Sequence, residues 1–202
     1  MKNIITIQHA EAVHHKTKMV GSWTDWELTD LGKEHAENIG RKLSAELKGQ
    51  PYKIYSSDLI RARQTVEPLA RYMGVEIEYR EKLREINLGE AVGQTGEWAK
   101  ANQSKEWSRA AFDTREFSGA ETWREFWARV ESVCADIIAD EAENIILASH
   151  GVTMSVWQSV WRGEQIKAFE YTGLAGGVSF FAVNDNGERI VQRLNDPSYM
   201  EG

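Results

Sequence analysis

Cysteine is almost absent from this 202-residue chain. Cys134 stands alone, so no internal disulfide can form and nothing calls for an oxidising compartment. Its apolar helical surroundings mark it as a small core residue rather than a reactive thiol. Proline is scarce as well, with three in the chain, and there is no Pro/Gly/Ser-rich tract, repeat or low-complexity segment to mark a linker. One domain spanning 1–202 is therefore expected. Long apolar runs are missing: nothing approaches the ~20 residues of a membrane-spanning helix. Met1 to Ile7 is too short for the apolar part of a signal peptide and runs at once into polar residues and histidines. The expectation is a cytoplasmic protein with no membrane partner. Positive charge is also in deficit, with 24 Lys and Arg against 31 Asp and Glu, a net charge of -7. Such a chain repels polyanions, so no nucleic-acid partner is expected, while a small phosphorylated substrate held in a local cationic cleft stays open. Oligomeric state is left open, with a homodimer among the options.

What is present alternates between strand and helix patterns. With 42% hydrophobic residues the chain can bury a sizeable core. Asn3 to Ile7 reads as a strand that delivers His9 at its carboxyl end. Glu11 to Leu28 reads as an irregular loop. Thr29 can cap a helix with Leu31, Ile39, Leu43 and Leu47 near one face, ending around Gly49 and Pro51. Lys53 to Ser56 and Val75 to Tyr79 read as strands, with a helix from Leu59 to Met73 between them closed by Gly74. Glu81 to Ser118 is mixed and reads as a partly helical rim. Trp123, Phe126, Trp127, Val130, Val133, Cys134, Ile137 and Ile138 recur at helical spacing, which makes the tryptophans core rather than binding surface. Asn144 to Ser149 is an apolar strand leading into His150 and a following helix. Val178 to Val183 and Ile190 to Leu194 flank an Asn-Gly turn and form a terminal hairpin. The pattern predicts a three-layer α/β/α sandwich on a mostly parallel sheet.

Ligands of such sheets gather where strands end and helices begin. His9 and His150 occupy two of these junctions, although either histidine alone is as compatible with a structural role. Between them, Ser56 to Thr65 passes from strand to helix with Arg61 and Arg63 near the first turn. Guanidinium forks match phosphate oxygens, and a helix start adds N–H donors. Read by itself, the segment fits a solvated arginine pair equally well.

Taken together the segments are specific. Gln8-His9-Ala10-Glu11, Ser57 to Thr65, Leu83-Arg84-Glu85-Ile86, Gly119 to Trp123 with Phe126 and Arg129-Val130, and Ala148-Ser149-His150-Gly151 resemble, in order and spacing, the histidine phosphatase, or phosphoglycerate mutase-like, family from about Met1 to Val183. The Leu28 to Gly32 step resembles its first helix start. The resemblance implies that His9 accepts the phosphoryl group, that Arg61 and His150 bind it, and that Glu85 gives the leaving oxygen its proton and later activates water. Phosphate contacts are then expected from Gln8, His15, Arg61, His150 and Gly151, with no metal or other cofactor required.

Two positions depart from the family's Arg-His-Gly motif. Gln8 lacks the guanidinium, and a charge-assisted hydrogen bond contributes roughly 1.5 to 3 kcal/mol, a loss of about ten- to a hundredfold in rate if uncompensated. A protonated His14 or His15 is the expected compensation. Ala10 replaces a glycine and raises the question of whether the backbone there needs φ > 0. Glu11, Arg63 and Arg84 are expected in solvated or structural ion-pair roles. Three competing readings follow: mutase-type transfer to a second hydroxyl, a phosphoryl-binding module without turnover, and a metallohydrolase on His9, His14 and His15.

Overall fold

The computed structural model describes residues 1–202 apart from Arg109 and Phe169. Six strands form one sheet in the order β3-β2-β4-β1-β5-β6. They are β1 (Lys2–Gln8), β2 (Lys53–Ser56), β3 (Ile77–Tyr79), β4 (Asn144–Ser149), β5 (Val178–Val183) and β6 (Arg189–Asp196). The first four run parallel, and β5 and β6 add an antiparallel edge. The helices are α1 (Val13–Thr17), α2 (Asp30–Glu46), α3 (Ile60–Met73), α4 (Gly96–Asn102), α5 (Trp123–Ala139) and α6 (Gly151–Trp161). None of the helices among the described residues is long and apolar enough to cross a membrane.

Strand residues alternate between two cores because successive Cβ atoms point to opposite faces. Ile145 and Leu147 of β4 pack with Phe126, Val130, Trp157 and Trp161 from α5 and α6. Ile146 and Ala148 pack with Ile39, Leu43, Val66 and Leu69 from α2 and α3. Both faces are thus covered by helices, as the near-continuous apolar run of β4 requires. The three-layer expectation holds. Trp127, Trp157 and Trp161 lie in the core, and Cys134 is buried among the residues of α5. Burial pushes its thiol up to about 11.

Local signals set the helix ends. The Thr29 hydroxyl accepts the Gly32 N–H, and Thr122 and Glu125 form a capping box at the start of α5. Three boundaries differ from the sequence reading. Leu31 is 44% exposed, because the buried stripe of α2 runs through Gly32, Ala36, Ile39, Gly40 and Leu43 instead. The loop after β1 contains the single-turn helix α1, which has too few apolar positions to show periodicity. β3 begins at Ile77 rather than Val75, since Gly74 and Val75 are spent closing α3.

α2 and α3 pack closely at Gly40, where a Cβ would lie 2.8 Å from the Leu69 nitrogen and 2.9 Å from Pro68. Backbone cannot yield there as a flexible side chain would. Gly40→Ala gains about 0.5–1 kcal/mol of helix propensity, yet overpacking costs about 1–3 kcal/mol. The variant is expected to unfold at lower denaturant than wild type; an unchanged or higher midpoint in urea titration would show that the helix pair can separate freely.

Candidate active site

Three parallel strands end in register, which is what brings the chemistry together. Gln8 pairs with Ser149, and Ser56 with Ala148. The His9 N–H donates to the Ser149 carbonyl at 2.9 Å and the Ser57 N–H to the Ala148 carbonyl at 2.9 Å. His9, Ser57 and His150 therefore leave adjacent strand ends on the same side. The His9 and His150 rings meet edge to face with centroids 5.2 Å apart. A cavity of about 240 Å³ opens here, walled by Gln8, His9, His15, Arg61, Glu85 and Gly151 among others.

His9 is fixed through its Nδ1, 2.8 Å from the Ala10 carbonyl. A carbonyl can only accept, so Nδ1 carries the proton and Nε2 presents its lone pair. Burial, and then the charge of Arg61, hold this imidazole well below its ordinary range, so it is neutral at pH 7. The Nε of Arg61 donates to His9 Nε2 at 3.2 Å. Its Nη1 donates to the Thr24 carbonyl at 2.7 Å and its Nη2 to the Ser22 carbonyl at 2.8 Å. Arg61 is 1% exposed, and burial lowers it to about 10, with Glu85 opposing, so the guanidinium stays charged. Ser22 takes φ 43, a left-handed conformation unusual for a residue with a side chain. Its hydroxyl holds that geometry by donating to the Ile86 carbonyl at 2.6 Å and accepting the Leu88 N–H at 2.9 Å. The loop after β1 is thereby tied to the Glu85 segment.

Glu85 meets the start of α6. Its Oε2 accepts the Val152 N–H at 3.0 Å, and its Oε1 accepts from the Thr153 N–H, the Thr153 hydroxyl and the Ile86 N–H at 3.0 to 3.1 Å. A carboxylate at a helix amino terminus satisfies donors that have no intrahelical partner and faces the positive end of the dipole. The Glu85 carbonyl accepts from Arg129 Nη2 at 3.0 Å and from Trp23 Nε1 at 2.7 Å. Arg129 is itself held by Glu121 through Nε and Nη2, at 2.8 and 2.7 Å. Sequence reasoning quoted Glu121 and Arg129 in a motif and gave them no role; they are positioning residues for Glu85. Their separation of eight residues across a helix start gave no local signal of this.

His150 lies deeper than the sequence suggested. It is fully buried behind His9, with Nε2 2.8 Å from the Ser57 hydroxyl, and it is not among the residues walling the cavity. Burial and Arg61 keep it neutral. Its Nδ1 is buried with no hydrogen-bond partner among the described residues. Gln8 donates from Nε2 to the Tyr171 hydroxyl at 3.0 Å. At Gly151 a Cβ would lie 2.7 Å from the Tyr171 ring and 3.1 Å from Gln8 Nε2, so a larger residue there would displace the Tyr171 side chain. Ala10 is buried without positive φ, so its methyl group imposes no backbone strain.

His14 and His15 do join the site. His15 stacks on His9 with centroids 5.4 Å apart, and the two neighbours lie 4.1 Å apart. A permanent positive charge on either is not what the ligand-free pocket holds. Burial, then His15 and Arg61, lowers His14 to about 3; burial, then Arg61, lowers His15 with Glu11 opposing. His15 Nδ1 accepts the Ala12 N–H at 3.2 Å, so its proton sits on Nε2 as a neutral donor. The ligand-capable nitrogens of His9, His14 and His15 fall within 4.8 Å of one another. As a cation site this trio is poorly matched: His15 Nδ1 and His9 Nδ1 are already committed, and the Arg61 guanidinium, itself a cation, points at His9 Nε2. The donor set suits an anion.

Glu11, Arg63 and Arg84 take structural parts. Glu11 accepts from the Thr29 hydroxyl at 2.8 Å and pairs with Lys16 at 3.1 Å, tying the loop to α2. Arg63 lies over the Tyr79 ring, and Arg84 forms a two-pronged pair with Asp58 at 2.8 and 2.6 Å.

The fold is shared with known proteins. Phosphoglycerate mutase-like protein 4 of Arabidopsis thaliana is 26% identical over 204 residues, covering 98% of this chain and 86% of that protein. Among solved structures, the alpha-ribazole phosphatase from Shigella flexneri matches with a TM-score of 0.81 at 18% identity, covering 96% of both chains. Mycobacterial glucosyl-3-phosphoglycerate phosphatase complexed with VO3 matches with a TM-score of 0.79 at 20% identity, covering 96% of this chain and 99% of the other. Residues 4–197 match the family model of the histidine phosphatase superfamily, branch 1, and the chain belongs to that superfamily.

Proposed function

We propose that the protein is a metal-independent phosphomonoester hydrolase that works through a phosphohistidine on His9. The observation that carries this reading is the tautomer of His9: its proton is held by the Ala10 carbonyl, and its Nε2 keeps a lone pair, capped by the Arg61 Nε–H, in a ring that walls the cavity together with Arg61 and Glu85. A nucleophile needs that arrangement before phosphate arrives. Membership of a family with phosphatase relatives supports hydrolysis as the outcome.

On entry of the ester, the Nε hydrogen of Arg61 turns from His9 Nε2 to a phosphoryl oxygen, freeing the lone pair it occupied. Nε2 attacks phosphorus, the P–O bond to the alcohol breaks, and Glu85, having taken the proton of the monoanionic ester, passes it to the departing oxygen. Charge on the equatorial oxygens is met by Arg61, by the Nε2–H of His15 and by the amide of Gln8. The carboxylate of Glu85 then takes a proton from water as its oxygen attacks phosphorus, which breaks the N–P bond and regenerates both groups. His150 backs the His9 ring and meets the phosphoryl group only if the Ser57 contact opens.

The neutral donors replace part of what the family's arginine supplies at Gln8. His15→Ala is expected to lower kcat/KM about three- to tenfold, the value of one neutral hydrogen bond, while His15→Asn keeps a donor and stays nearer wild type. Equal values for all three proteins would remove His15 from the site.

Acid should affect the nucleophile late. Because the folded-state affinity of His9 for a proton is depressed, it remains neutral well below pH 6.5, and the acid limb of kcat/KM should lie below the ordinary histidine range. Stability changes with the same sign: the unfolded chain protonates its histidines below about 6.5 while His14 resists until about 3, so unfolding free energy falls as pH drops through that window. An acid limb at pH 6.5 or above contradicts a buried neutral nucleophile.

The reading as a whole is tested with 4-nitrophenyl phosphate in the presence and absence of EDTA, on wild type and His9→Ala, with trapping of an acid-labile phosphoprotein. Expected are EDTA-resistant turnover, a trapped phosphoenzyme, and loss of both in His9→Ala. Phosphate binding by a wild type that forms no phosphoenzyme and releases no alcohol would instead identify a binding module.

A further inference from the structure

A second cleft of about 360 Å³ lies against the active-site cavity, and the two share Ile86, Leu88 and Val152 as walls. Two of the shared residues also hold Glu85, through the Ile86 and Val152 N–H groups. The cleft therefore begins beside the group that protonates the leaving oxygen, where the alcohol portion of a substrate must lie. Trp107 and Trp123 are also among its lining residues. Two carboxyl groups face it. Glu121 is neutralised by Arg129, while Glu116 accepts from the Gln103 amide at 2.6 Å and has no cationic partner among the described residues. Burial raises the affinity of Glu116 for a proton, which accords with the scarcity of positive charge around it. Among the described residues no lysine or arginine lines this cleft, and Arg61 is the only such residue lining the active-site cavity.

We propose that the cleft is the leaving-group subsite and that it selects phosphate monoesters of alcohols carrying a flat, uncharged ring system, against esters whose alcohol bears a second anion. This rests on the hydrolase reading above. Apolar rings gain from leaving water and from stacking on indoles. A carboxylate in the same place would lose its hydration without finding a cation among the described residues, and would face Glu116.

The test compares kcat/KM for 2-naphthylmethyl phosphate, 3-phosphoglycerate and phosphoserine, all of which leave as alkoxides, so differences in leaving-group chemistry are small. Wild type is expected to favour the naphthyl ester by about tenfold or more, the scale of burying one aromatic ring. Trp107→Ala should lower kcat/KM for the naphthyl ester about tenfold more than for 3-phosphoglycerate. Glu116→Lys should raise kcat/KM for 3-phosphoglycerate, a gain that misfolding cannot produce. A wild type that turns over 3-phosphoglycerate or phosphoserine as well as the naphthyl ester, with dependence on His9, overturns the subsite and leaves the hydrolase reading intact. Absence of His9-dependent turnover and of phosphoenzyme with every ester overturns both.

Discussion

A guanidinium that is 1% exposed needs an acceptor for its donors, and the way Arg61 meets that demand organises the site. Two of its nitrogens are satisfied by loop carbonyls, of Ser22 and Thr24, and the third by the lone pair of His9. The loop after β1 is held by these bonds, and the left-handed Ser22 is part of the cost. Burial, reinforced by the same charge, keeps the surrounding imidazoles neutral. Substrate phosphate is the natural replacement acceptor for the bond now made to His9, so the ligand-free arrangement already contains the donor that attack would require.

Glu85 is constrained from a different direction. Its carboxylate is fixed by the start of α6 and its carbonyl by Arg129 and Trp23, so one residue joins the helix that follows β4 to the segment after β3. The proposed acid and the proposed nucleophile thus hang on separate helices that meet only at the strand ends. Register of β1, β2 and β4 is the common reference for both, and a one-residue slip in any of them would turn its terminal residue away from the cavity.

The histidine-rich loop shows how burial changes what a residue type offers. His14 and His15 invite a reading as cations or metal ligands, yet partial burial beside a guanidinium leaves them as neutral hydrogen-bonding groups. The Tyr171 hydroxyl, brought to Gln8 by the chain after α6, replaces solvent around an amide whose Oε1 has no partner. These contacts span more than a hundred and sixty residues of separation in the case of Gln8 and Tyr171.

By itself the sequence determined the alternation of strands and helices, the caps at Thr29 and Gly74, and the placement of His9, Arg61 and His150 at strand-to-helix junctions, because period, capping and turn chemistry act over a few residues. It also carried the family motifs. Leu31 misled because two overlapping helical stripes differ by one residue in α2. Tertiary structure alone decided that His9 presents Nε2, that His150 sits behind it against Ser57, that the paired histidines are neutral, and that Arg129 and Glu121 support Glu85. Each of these depends on burial and on partners brought from distant segments, and neither quantity is written in local spacing.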